Sequence, residues 1–163
     1  PASVLLERIR AEKARLVKEK KIKKDKNESI IYRGEDNSYY EKFLATGEVK
    51  CIDEEIPFEI PQGWEWSRMG SIGDWGAGAT PAKGNTSYYG GNILWLRTGE
   101  LNNSIVNDTE IKITDKALKE CSLRLNKAGD VLIAMYGATI GKVAIAGCEL
   151  TTNQACCACT PIE

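Results

Sequence analysis

The stretch from Asn126 to Ala158 constrains this chain more than any other. A turn, Lys127-Ala128-Gly129-Asp130, feeds an unbroken apolar run from Val131 to Met135. The loop Tyr136-Gly137-Ala138-Thr139-Ile140-Gly141-Lys142 leads into a second run, Val143 to Ala146, and after Gly147 the polar cluster Thr151-Thr152-Asn153-Gln154 opens a third strand of small residues. Apolar runs this short, bounded by glycines, read as strands buried on both faces. Gly137 and Gly141 let the connecting backbone take φ > 0 or lie close to another surface. The polar residues then stand at strand ends, where a scaffold presents side chains to a partner.

The loop is not a phosphate cradle. That motif needs four residues between its glycines and a Ser or Thr after the lysine. Here three residues separate Gly137 from Gly141, and Val143 follows Lys142. The loop also leads to another strand rather than to a helix.

A length of 163 residues, 42% of them hydrophobic, suits one domain with an appendage. No apolar run approaches the roughly 18 residues of a membrane span. Six cysteines with no leader-like segment point to a reducing, cytoplasmic setting. The chain is expected to be a piece of something longer. Its net charge of −1 hides an uneven distribution: residues 1–28 carry ten cations against five carboxylates, and residues 29–60 three against eight. The basic excess of many nucleic-acid binders is missing. Any such role rests on a local patch or on a partner.

Residues 1–24 read as a helix, with Pro1 at its first turn and no internal Gly or Pro. Leu6, Ile9 and Leu16 form a stripe widened by Leu5, and Lys13 falls on the same seam. A stripe this narrow suits burial of Leu5, Leu6, Ile9 and Leu16 against a partner helix, with a solvated helix on its own domain as the other reading. Three segments are expected: an amphipathic spacer helix over 1–28, an acidic irregular arm over 29–55, and a strand-rich domain over 56–163. In the last of these, Pro57 and Pro61 exclude a central strand, while Phe58, Trp64 and Trp66 supply large core anchors.

Residues 70–91 hold seven of the fifteen glycines. Thr80 is held extended by Pro81, and Lys83 and Asn85 follow in a loop rich in donors. Ile93-Leu94-Trp95-Leu96 reads as a buried strand ending at Arg97, and residues 101–125 as a strand around Ile111–Ile113 followed by a short helix capped by Thr114. No metal site is expected: there is no His, and Cys156, Cys157 and Cys159 lack paired spacing. No catalytic residue is expected either. A histidine triad is impossible, and no Cys or Ser has an evident base.

Taken together, Gly78-Ala-Thr-Pro81, Tyr89-Gly-Gly-x-Ile-x-Trp95, Gly129-Asp-Val-Leu132, Met135-Tyr-Gly-Ala-Thr-Ile-Gly-Lys142 and Thr152-Asn-Gln-Ala155 stand in the order of a known family. The chain resembles the first target recognition domain of type I restriction–modification specificity subunits. Leu5-Leu-Glu-Arg-Ile-Arg-Ala-Glu-Lys13 and the Ile31-Tyr-Arg-Gly-Glu-Asp-Asn37 arm resemble what precedes that domain. The resemblance implies an α+β fold, a mixed-sheet domain with a separate N-terminal helix. It also implies recognition of half of a split double-stranded DNA site, with no cofactor. Methylation and restriction subunits would be the partners, and they would hold the catalysis. A non-catalytic carbohydrate- or protein-binding module could use the same loops and aromatics. The residues proposed to face DNA are Thr80, Lys83, Asn85, Arg97, Tyr136, Thr139, Lys142, Asn153 and Gln154. Arg97 suits guanine, Asn153 or Gln154 adenine, and Lys83 and Lys142 phosphates. Asn153 and Gln154 equally suit the satisfaction of buried loop backbone.

Overall fold

The N-terminal amphipathic segment folds as α1 (Ala2–Lys18), which stops short of the expected Lys24. Lysines crowd the sequence beyond Lys18, so the run lacks the alternating pairs that support an exposed helix. Lys20 takes φ 58°, and the Lys21 N–H returns to the Leu16 carbonyl at 2.9 Å, a left-handed closure of the last turn. The computed structural model describes residues 1–163 and divides them into two compact units. One is Pro1–Asp74 with Ile162–Glu163; the other is Trp75–Pro161. The boundary falls well after residue 56, because the Pro57–Trp66 stretch stays with the first unit.

Within the first unit the acidic arm is ordered rather than irregular. Its alternating Tyr39-Tyr40-Glu41-Lys42-Phe43 pattern pairs as β2 (Tyr39–Phe43) between β1 (Ser29–Arg33) and β3 (Val49–Cys51), all antiparallel. Abundant carboxylates disguised the strand period, and one of them is structural. Glu41 is buried, accepts from Ser29 Oγ at 2.5 Å, and receives Arg68 Nε at 3.0 Å and an Arg68 terminal nitrogen at 2.6 Å. Arg68 also reaches Glu55 at 2.7 Å. This network lies just before the one-turn helix α2 (Met69–Ile72).

The α1 stripe lies on its own unit. Ile9 is 5% exposed and, with Leu6, lines a crevice against Ile30, Ile31 and Trp66. Lys13, the anomaly on the seam, is buried because its Nζ donates to the Gly70 carbonyl at 2.6 Å. Leu16 is half-buried, and Leu5 remains exposed. The expected core role of Trp64 fails, since it is 66% exposed. Pro57 and Pro61 keep the stretch before it extended and off any sheet, and Phe58 meets Trp66 at 5.4 Å near the surface instead.

In the second unit, with β4 starting two residues before it, the chain forms two sheets. Five strands run in the order β4 (Gly73–Ala77), β11 (Cys156–Pro161), β8 (Val131–Ala134), β9 (Val143–Ala146), β6 (Ile105–Val106). Three more run β10 (Thr151–Thr152), β5 (Tyr89–Leu96), β7 (Ile111–Ile113). Parallel β9–β6 and β10–β5 pairs beside antiparallel β11–β8, β8–β9 and β5–β7 pairs make both sheets mixed. As expected, Thr114 caps the short α3 (Asp115–Glu120), its hydroxyl accepting the Ala117 N–H at 3.3 Å.

The eight-residue β5 feeds two cores because its side chains alternate. Leu94 and Leu96 join Leu132, Ala134, Ala144 and Cys156 in the larger cluster. Ile93 and Trp95 join Ile113 and Ala117 in the smaller one. The strands β8 and β9 are not buried on both faces as their apolar runs suggest. On β9 Ala144 and Ala146 point inward while Val143 and Ile145 are 38% and 45% exposed, beside Ile105 at 58%. A small inward residue and a branched outward one give the same uninterrupted apolar run as a buried strand.

Arg68 holds the Glu41 carboxyl below its ordinary value, with Ser29 adding to the effect. The carboxylate therefore stabilises the first unit above the usual glutamate range, and that contribution is lost as pH falls through the lowered value. Arg68→Ala leaves Glu41 buried without its cation. Because Arg68 itself is 41% exposed, the expected cost is about 2–3 kcal/mol, below that of a fully buried pair. Denaturant titrations at pH 7 and pH 3 check this, with the difference between wild type and variant shrinking at the lower pH.

Candidate nucleic-acid interface

The site is assembled where the chain changes sheets. After β10 the Asn153 N–H donates to the Leu96 carbonyl at 2.9 Å, which places Arg97, the next residue, beside this turn. The Cys156 N–H then closes on the Asn153 carbonyl at 3.2 Å, and the chain enters β11 in the other sheet. Thr151-Thr152 and Cys156–Pro161 are thus not one strand; the polar cluster is the crossover between two.

The Gly76–Pro81 loop lies on that crossover. Gly78 N–H donates to the Cys156 carbonyl at 3.1 Å and Ala79 N–H to the Thr152 carbonyl at 3.0 Å. A Cβ at Gly78 would collide with the Thr152 carbonyl and hydroxyl oxygens, so this close approach requires glycine. Two aromatic side chains grip the loop from beneath. Trp95 Nε1 donates to the Ala79 carbonyl at 3.0 Å and the Tyr89 hydroxyl to the Pro81 carbonyl at 2.6 Å. Their rings meet edge-on at 6.2 Å. The Thr80 hydroxyl is thereby delivered to Gln154 Oε1, to which it donates.

The third arm is the β8–β9 connection. Met135 N–H donates to the Ala155 carbonyl at 2.9 Å, so the loop bearing Tyr136, Thr139 and Lys142 leaves from the same edge. Thr80, Arg97, Tyr136, Asn153 and Gln154 therefore gather at adjoining strand ends, with Thr139 and Lys142 on the adjacent hairpin loop. Lys83 and Asn85 extend beyond this cluster, past Pro81. Asn85 Oδ1 accepts the Ser87 N–H at 3.1 Å and the Ser87 hydroxyl at 2.6 Å, capping the turn Thr86–Tyr88. Its carbonyl is therefore committed to Ser87.

Arg97 is engaged as well. Its guanidinium pairs with the exposed Glu110, while Glu100 receives the Arg97 backbone N–H at 2.9 Å and lies 3.7 Å from Nε. Arg97 Nε and Asn153 Oδ1 are buried with no hydrogen-bond partner.

Three contributors escaped the sequence reading. Asn103 sits at φ 59°, donates its N–H to the Val143 carbonyl at 2.9 Å, and so holds the polar Asn102-Asn103-Ser104 segment beside the start of β9. The Asn-Asn pair between apolar Leu101 and Ile105 was the available signal. Trp95 reads as part of a buried strand and Tyr89 as part of a loop, and only the tertiary contacts reveal them as loop supports. Burial pushes the Cys156 thiol up to about 11 and raises Cys157 too, so neither is set up as a thiolate.

A family model described as Type I restriction modification DNA specificity domain matches residues 61–163, which takes in all of the Trp75–Pro161 unit. The type I restriction enzyme MjaIX specificity subunit of Methanocaldococcus jannaschii is 40% identical over 99 residues, 59% of this chain and 23% of that protein. The EcoAI specificity subunit of Escherichia coli is 49% identical over 72 residues, 44% of this chain and 9% of its own length. The chain thus spans less than a quarter of either relative. The crystal structure of the HsdS subunit from Thermoanaerobacter tengcongensis shares the fold, with a TM-score of 0.50 over 64% of this chain and 25% of that one at 20% identity.

Gly78→Ala is expected to force the Gly76–Pro81 loop off the crossover and to cost roughly 1–3 kcal/mol as overpacking. Urea titration checks the loss. An unchanged midpoint would show that the loop is not clamped as described.

Proposed function

We propose that this chain, which belongs to the type I restriction modification DNA specificity domain family, reads part of a double-stranded DNA sequence for a complex whose partner subunits methylate and cleave. One observation carries this reading: Thr80, Arg97, Tyr136, Asn153 and Gln154, drawn from four separate stretches, are brought to one edge of the sheets by the backbone bonds of Ala79, Leu96, Met135 and Asn153 and by the Thr80–Gln154 bond. Base reading needs several side chains of fixed relative position, because each base pair displays its donors and acceptors in a fixed pattern in the major groove.

The roles divide by chemistry. Arg97 can present two parallel donors to guanine, and Asn153 or Gln154 a donor and an acceptor to adenine. Lys83 and Lys142 hold phosphates, which fix register without carrying sequence. Thr80, Thr139, Asn85 and Tyr136 supply hydroxyl, amide and aromatic contacts around them. Glu110 occupies the Arg97 guanidinium in the absence of DNA, so reading requires an exchange of partners.

A net charge of −1 cannot by itself hold a polyanion. Phosphate neutralisation is therefore shared with the methylation and restriction subunits, and this unit contributes the base contacts. The chain performs no chemistry of its own in this scheme and needs no cofactor. Leu5, exposed on α1 beside Val4, provides an apolar contact for a partner helix, with Leu6 and Ile9 anchoring the other side of α1 to its own unit and Leu16 half-buried. No helix is long and apolar enough to cross a membrane, which fits a cytoplasmic complex.

Mapping methylated sites made by the intact complex tests the assignment. Arg97→Ala is expected to relax the site at one guanine position by about 1–3 kcal/mol, whereas Lys142→Ala weakens binding to all sequences and lowers the salt slope by about 1. An unchanged site and unchanged affinity in both variants would remove this edge from DNA reading. Glu110→Gln releases Arg97 from its competitor and is expected to tighten DNA binding at low ionic strength, measured by fluorescence anisotropy.

A further inference from the structure

The loop joining β8 to β9 exposes its largest apolar side chains. Ile140 is 69% exposed and Tyr136 50%. This is a built turn rather than a slack connection. Gly137 and Gly141 take φ 84° and 80°, conformations in which a side chain would be strained. The Gly141 N–H donates to Ala134 at 3.0 Å, the Ala134 N–H to Lys142 at 2.9 Å, and the Ile140 N–H to Gly137 at 3.2 Å. The loop therefore holds Ile140 outward. Its own stretch of chain suits a polyanion, because no carboxylate occurs between Val131 and Cys148 and the single charge there is Lys142.

The geometry points to Ile140, flanked by Tyr136, as a specificity-determining contact to the 5-methyl group of a thymine in the major groove. This rests on the DNA reading proposed above and assigns to it a feature that the polar edge lacks. The thymine methyl is the one apolar group a base edge offers there, and an aliphatic side chain on a rigid tip can cover it without unstacking the duplex. Lys142, two residues beyond Ile140, is placed to take the flanking phosphate. Met135, bonded to Ala155, ties the base of this hairpin to the segment that follows the Asn153–Gln154 turn, so the loop leaves from the same edge as the polar contacts.

The test uses the protein in its intact complex and duplexes carrying its mapped methylation site, with deoxyuridine replacing each thymine in turn. Removing the methyl at the contacted position is expected to weaken binding by about fourfold, the value of one buried methyl-sized group. Ile140→Ala should bind the thymine and deoxyuridine duplexes equally, and Ile140→Leu should keep the preference. At 69% exposure the side chain contributes little to folding, so these variants remain folded. Equal binding of every deoxyuridine duplex by the wild type overturns the proposal, as does a preference that survives in Ile140→Ala. A 2-aminopurine signal of unstacking that depends on Ile140 would also overturn it, by making the side chain a wedge between bases. Failure of the wild-type complex to prefer its site over a scrambled duplex would instead strike the DNA reading itself.

Discussion

The hydrogen bond from the Asn153 N–H to the Leu96 carbonyl holds the second unit together at its most demanding point. Here the chain ends a parallel pairing with β5 and crosses to the five-stranded sheet within a few residues. A short crossover leaves backbone groups in need of partners, and the structure supplies them from Leu96, from Gly78 and Ala79, and from Met135. Each of those partners begins or ends a loop that carries a candidate contact residue. Satisfying the crossover backbone therefore also sets the relative positions of Thr80, Arg97, Tyr136 and Gln154. The edge is preorganised because the fold needs it to be.

Support for that edge comes from within. Leu94 and Leu96 bind β5 into the larger core, and Trp95 and Tyr89 on the opposite side bind the Gly76–Pro81 loop through its carbonyls. One strand thus couples the two cores to the outward surface. An aromatic residue suits this position because it buries a large apolar ring and still offers a donor at its rim.

The first unit solves a different problem. Its β sheet is short and rich in carboxylates, and it buries two charges. Lys13 is satisfied by a carbonyl at the start of α2, and Glu41 by Ser29 and Arg68. Buried ionic groups are weak sources of net stability but costly to leave unpaired. They therefore specify how α1, the sheet and α2 fit together more than they add to stability.

Much of the second unit was legible in the chain. The apolar runs at Ile111–Ile113, Val131–Met135 and Val143–Ala146 are strands within a residue, Ile93–Leu96 is the end of a longer strand that begins at Tyr89, Thr114 caps its helix, and the motif order pointed to the family that the comparisons show. Local pattern decides such things, because strand period, turn glycines and caps act over a few residues. Tertiary structure alone decided that Thr151-Thr152 and Cys156–Pro161 belong to different sheets, since partner choice depends on residues far apart in sequence. The same holds for Lys13, whose acceptor lies 57 residues away, for Trp64, left exposed beyond Pro61, and for Arg97, already held by Glu110. The sequence by itself determined which residues could form the edge; only long-range pairing decided which of them meet there and which are engaged with neighbours of their own.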